Sequence, residues 1–146
     1  MPSPIPKVVF DTNVIVSAFL KPESNPSLII SLFSEGYLTV CLSKEMLVEY
    51  REVLKREKFK KLDHESIDKF LLMIEKQALM VRPRVSVSAV AFDPADNKFL
   101  ECALESKADY LITGNTRHFR FKKFRNTQVI NPKGFIDLLG VAISQR

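Results

Sequence analysis

Lys7-Val8-Val9-Phe10-Asp11-Thr12-Asn13-Val14 is the stretch on which the fold turns. Lys7 to Phe10 is a short, largely apolar run that stops at a polar residue, the pattern of a buried strand. A helix from about Asn13 to Leu20 follows, so the chain opens as strand then helix, with a carboxylate at the junction. Ahead of it, Met1-Pro2-Ser3-Pro4-Ile5-Pro6 is rich in proline, which favours an extended lead-in.

Working outward, the same alternation continues. Lys21-Pro22-Glu23-Ser24-Asn25-Pro26 breaks the chain, and Pro26, suited to a first helical position, opens a helix to Glu35 before Gly36. Tyr37 to Leu42 reads as a strand. Ser43 can cap a helix whose apolar positions Met46, Leu47, Tyr50, Val53 and Leu54 recur at helical spacing. A basic bridge from Lys55 to Lys61 leads to a helix with Ile67, Phe70, Leu71, Ile74 and Ala78 on one face, giving a helical hairpin. Leu79-Met80-Val81 is a candidate third strand, and Val85 to Val90 leaves extended and irregular readings open. A helix from Pro94 to about Lys107, a buried strand Tyr110-Leu111-Ile112-Thr113 broken by Gly114, a short strand at Val129-Ile130 and a helix from Pro132 through Leu139 complete the series. Short connections and right-handed crossovers then favour a parallel sheet covered by helices on both faces.

Composition sets the class. A chain of 146 residues, 46% hydrophobic and 27% charged, is expected to form one globular domain over residues 1–146 with a core at about 7–139. No apolar run approaches the ~20 residues of a spanning helix, and the N-terminus has no secretory pattern, so a cytoplasmic protein away from membranes is expected. Cys41 and Cys102 form no CxxC pair and read as buried free thiols, which argues against structural zinc. The net charge of +5 and pI of about 9.3 suit a polyanionic partner such as nucleic acid.

Three carboxylates stand where chemistry is expected. In an open parallel sheet ligands bind beyond the carboxyl ends of the strands, where both Asp11 and the Thr113-Gly114-Asn115 turn fall. Asp11 can alternatively cap the helix that follows it. On the helix after Ser43, Glu49 borders the apolar stripe whereas Glu45 and Glu52 point away, so Glu49 alone can lean inward, given a cationic partner. Asp96, Phe99, Leu100 and Ala103 follow i, i+3, i+4, i+7, so a carboxylate heads a stripe that must pack inward. Asp93-Pro94-Ala95-Asp96 also resembles a capping box, which accounts for Asp93 better than for Asp96. Carboxylates that converge without Lys or Arg among them repel one another unless a cation neutralises the set. All-oxygen ligands select Mg²⁺ or Mn²⁺.

With these residues in place the chain resembles the PIN-domain nucleases, in particular the compact bacterial and archaeal members of toxin-antitoxin pairs. The matching segments are Val9-Phe10-Asp11-Thr12-Asn13-Val14, the Glu49 helix, Asp93-Pro94-Ala95-Asp96-Asn97 and Leu111-Ile112-Thr113-Gly114-Asn115, in the family's order from about Lys7 to Leu139. The resemblance implies a three-layer α/β/α fold with a parallel sheet of about five strands in the order 3-2-1-4-5, an acidic pocket holding Mg²⁺ or Mn²⁺, and cleavage of single-stranded RNA. By position it makes Asp11, Glu49 and Asp96 the catalytic and metal-binding acids, Asp93 an auxiliary metal ligand, and Thr12, Asn13, Thr113 and Asn115 supporting groups. An antitoxin and a second copy of the chain are the implied protein partners. Asn115 departs from the pattern, since the family often carries Asp after Thr-Gly and an amide brings no charge. A single metal ion is the safer expectation, and a catalytically weak RNA-binding module is the alternative.

Arg117-His118-Phe119-Arg120-Phe121-Lys122-Lys123-Phe124-Arg125 interleaves cations with rings just past the pocket turn. Arg117, Arg120 and Lys122 are candidate RNA contacts, while the rings read better as core plugs.

Overall fold

The computed structural model describes residues 5–86, 94–119 and 122–144. Five strands form the frame: β1 (Lys7–Phe10), β2 (Thr39–Leu42), β3 (Leu79–Met80), β4 (Tyr110–Ile112) and β6 (Thr127–Ile130), with β5 (Lys123–Phe124) added at one edge. Their order is β3-β2-β1-β4-β6-β5, and all neighbours run parallel except β5, which pairs antiparallel with β6. Without β5 this is the expected 3-2-1-4-5 order. The central strands are parallel as expected, and the β5–β6 hairpin, closed by Arg125-Asn126 with Arg125 at φ 56°, adds one antiparallel edge strand. A strand of two residues leaves almost no alternation to read in a sequence.

The helices are α1 (Thr12–Leu20), α2 (Asn25–Ser34), α3 (Lys44–Leu54), α4 (His64–Gln77), α5 (Asn97–Ser106) and α6 (Pro132–Ser144). Local chemistry sets their ends. The hydroxyl of Ser43 accepts from Met46 N at 3.2 Å, that of Ser24 from Ser27 N at 3.4 Å, and the Asp63 carboxylate from Ser66 N at 3.2 Å. Gly36, at φ +87°, closes α2 in a left-handed turn in which Tyr37 N donates to Leu32 O and Gly36 N to Phe33 O. The helical hairpin of α3 and α4 is tied at its surface by Arg51–Glu75 and Lys55–Asp68.

β1 lies at the centre, and Val8, Val9 and Phe10 are fully buried because helices cover both faces of the sheet. One hydrophobic cluster joins them to Ile15, Ile29, Phe33, Val40, Met46, Tyr50, Ile74, Phe99, Leu100, Ile112 and Phe135. Phe119 is buried in it and Phe124 packs against it, so these rings are core plugs as read from the sequence. Cys41 and Cys102 are buried free thiols, and burial pushes the Cys102 thiol up to about 12. Among the described residues no helix is long and apolar enough to cross a membrane. Residues 87–90 of the ambiguous Val85 to Val90 stretch lie outside the described residues.

Candidate active site

The parallel register Phe10↔Ile112 sets the C-terminal ends of β1 and β4 side by side. The next residue on each strand is therefore a neighbour of the other. Asp11 N donates to Ile112 O at 3.0 Å, and Thr113 Oγ1 donates to Asp11 Oδ2 at 2.7 Å. Asp11 is 6% exposed and Thr113 fully buried. Asp11 holds the N-cap position of α1, yet its carboxylate makes no capping hydrogen bond. Its principal partner lies across the sheet instead. Burial pushes its pKa above the ordinary Asp value, the Thr113 hydroxyl and the Asn13 and Thr12 amides oppose that shift, and the negative charge of Glu49 adds to it. The turn after β4 is fastened to the same end: Asn115 N donates to Thr113 Oγ1 at 3.1 Å and Gly114 N to Asn13 Oδ1 at 3.4 Å.

Glu49 reaches this end from α3. It is half-buried, whereas Glu45 and Glu52 on the same helix are exposed. Thr12 Oγ1 donates to Glu49 Oε2, and Lys98 Nζ donates to Glu49 Oε1 at 2.9 Å. Lys98 was not singled out in the sequence, and it corrects the expectation that no Lys or Arg stands among the carboxylates. Two residues after Asp96 on an ideal helix it would point to another face. The chain from Pro94–Asp96 is instead a 3-10 turn, and the long Lys98 stem folds back so that its ammonium also donates to Ala95 O. The signal was present in a different form: a half-buried Glu49 needed a cation.

Asp96 is half-buried at the start of α5, and Phe99, Leu100 and Ala103 below it are buried, so the carboxylate does head the inward stripe. It stands at the N-cap of α5 in αR conformation, with no side-chain capping hydrogen bond to that helix. Asp93 and Arg120 lie outside the described residues. Arg117 and Lys122 are exposed. A cleft of about 400 Å³ beside the site is lined by Ser43, Lys44, Arg82 and Lys98, among others.

Among the described residues no group of three or more His, Cys, Asp or Glu side chains stands within reach of one metal ion. Glu49 is close enough for its charge to raise the pKa of Asp11, and threonine hydroxyls and the Lys98 ammonium hold the two carboxylates. The donor set still fits a hard divalent cation. It is all oxygen, and a cation would relieve the mutual repulsion of Asp11 and Glu49.

The site thus joins a buried Asp at the end of the central strand to Glu49 from α3, on an α/β sheet with Asp96 at the start of α5. The PIN domain profile matches residues 7–117, and the chain belongs to the PIN domain family, whose members are nucleases. An uncharacterized protein of Methanocaldococcus jannaschii is 33% identical over 141 residues, covering 90% of each chain. Among solved structures the fold matches a chain of VapBC2 from Rickettsia felis, in a crystal structure bound to a DNA fragment from their promoter. That match has a TM-score of 0.54 and 17% identity, and it covers 86% of this chain and 98% of the other.

Proposed function

We propose that the protein is an endoribonuclease that uses Mg²⁺ or Mn²⁺ to hydrolyse phosphodiester bonds of single-stranded RNA in the cytoplasm, as the toxin of a toxin-antitoxin pair. The observation that carries this reading is the buried Asp11 carboxylate, oriented by Thr113 across the β1–β4 junction with Glu49 beside it. Burying an ionisable group against its own solvation is costly, and such groups gather where charge is used. Asp11, Glu49 and Asp96 would hold the ion, with Asp93 as an auxiliary ligand. When bound, the ion supplies Lewis acidity toward the phosphate and offsets charge in the in-line displacement.

The chain's own groups do the positioning. Thr113 fixes the Asp11 carboxylate, and the backbone N–H of Asn115, which donates to Thr113 Oγ1, fixes that hydroxyl in turn. Thr12 and Lys98 hold Glu49, which would orient the attacking water. Asn13 ties the turn after β4 to α1. Arg117, Lys122 and Arg120, with Lys44 and Arg82 along the adjoining cleft, would contact RNA phosphates, in keeping with the net charge of +5. The VapBC2 likeness in fold supports an antitoxin as protein partner, and a homodimer is part of the same reading.

A second reading, an RNA-binding module of weak activity, is favoured by Asn115, which brings no charge, and by the Glu49–Lys98 pair. Incubation of the purified protein with mixed single-stranded RNAs and Mn²⁺, beside Asp11→Asn, separates the two. Cleavage by the wild type alone supports the nuclease. RNA binding without cleavage by either protein supports the module.

A further inference from the structure

Of the ion pairs among the described residues, Lys98–Glu49 is the most enclosed, with side-chain exposures of 11% and 30%. The others leave the cation far wetter, from 40% for Lys55 to 84% for Arg84. The Lys98 ammonium is also held from several sides: by Glu49 Oε1, by the carbonyl of Ala95, and by the edge of its reach over the Phe99 ring at 5.3 Å. It therefore spans from α3 to the residue just before Asp96. A lysine that served only as a surface tie would not be fixed inside the acidic pocket.

We infer that Lys98 is the pocket's built-in cation, holding Glu49 in the place of a second divalent ion, so that the pocket takes one. This rests on the metal-nuclease reading above. The turn after β4 adds no carboxylate, because Asn115 is an amide. Glu49 has one oxygen on the ammonium and the other on the Thr12 hydroxyl, so a second divalent ion at Glu49 would stand against the ammonium and be repelled by it. Lys98 is thus a positioning residue: it sets the direction of Glu49 and the metal count.

The test is equilibrium dialysis of the full chain against Mn²⁺ alone, reading free Mn²⁺ by electron paramagnetic resonance, with circular dichroism as the check on folding. Wild type and Lys98→Arg are expected to bind one Mn²⁺ per chain. Lys98→Met, which keeps the apolar stem without the charge, is expected to bind two, and Lys98→Gln provides the same neutral change should the first variant not fold. Adding Glu49→Gln to either neutral variant is expected to return the count to one. A merely structural Lys98 would lower stability and leave the count at one in both neutral variants, which overturns the inference while leaving the metal site intact. Two ions in the wild type overturn it as well. No Mn²⁺ on any of the proteins overturns the metal reading itself, and the inference with it.

Discussion

The two halves of the acidic pocket solve the same problem in different ways. In one, Asp11 is 6% exposed and relies on neutral donors, chiefly the hydroxyl of the fully buried Thr113, so its carboxylate bears a desolvation penalty that no cationic side chain among the described residues is seen to relieve. In the other, Glu49 keeps about a third of its side chain in water and is held by a hydroxyl and an ammonium together. Burial raises the pKa of Asp11, and Glu49 itself contributes to the rise. The difference assigns tasks. A desolvated carboxylate supported only by neutral donors has the most to gain from a metal ion, whereas one already paired has less.

The largest effect expected from breaking this contrast is on chemistry. Asp11→Asn keeps volume and an oxygen for Thr113 but removes the charge on the desolvated side, and RNA cleavage with Mn²⁺ should fall by on the order of 10²–10³ or more. In metal-free buffer the same change relieves a buried charge, so the urea midpoint should hold or rise. Cleavage at the wild-type rate would reverse the assignment of the two halves.

Thr113→Val is next. It leaves the Asp11 Oδ2 atom without its donor on a residue only 6% exposed, and a loss of about 1–3 kcal/mol is expected in urea unfolding, with Thr113→Ser close to wild type. The pH dependence sharpens this. Because the folded pKa of Asp11 is raised, the native state keeps its proton where the unfolded chain has lost it. Its contribution is complete below the ordinary Asp range and is lost as pH rises through the folded value. In metal-free buffer, Thr113→Val should carry that loss to higher pH, and Asp11→Asn should abolish it. Titration of the urea midpoint between about pH 4 and 7 reads both.

These halves were not equally legible in the sequence. Asp11 and Thr113 could be placed together because each follows an apolar run that must be a buried parallel strand, and strand ends align by topology alone. The helical stripe under Asp96 was legible for a related reason: Phe99, Leu100 and Ala103 repeat at helical spacing and are buried as that spacing requires. Lys98 was not, because its position depends on the 3-10 turn at Pro94–Asp96 and on a long flexible stem, neither of which has a periodicity. The β5 strand was hidden for want of length. Arg125-Asn126 offers none of the Asn-Gly or Asp-Gly turn chemistry that marks a hairpin, and Arg125 takes its positive φ without glycine.

The finest test applies the same substitution to the other half. Thr12→Val removes the hydroxyl that donates to Glu49 Oε2, as Thr113→Val removes the donor to Asp11. Thr12 is itself buried, at 8% exposure, so the two threonines are alike in their own surroundings and differ in what they support. Glu49 retains Lys98 on its other oxygen and has water at hand to replace the lost donor. The cost should therefore be about 1 kcal/mol or less, well under that of Thr113→Val. Paired urea denaturation of the two valine variants, under one metal-free buffer, measures the difference directly. The double variant should show simple additivity if the halves are independent, and a coupling beyond ~0.5 kcal/mol if the Asp11–Glu49 repulsion links them. Equal losses from the two single variants would mean that the ion pair does not shield Glu49, and the contrast between a desolvated and a paired carboxylate would fail.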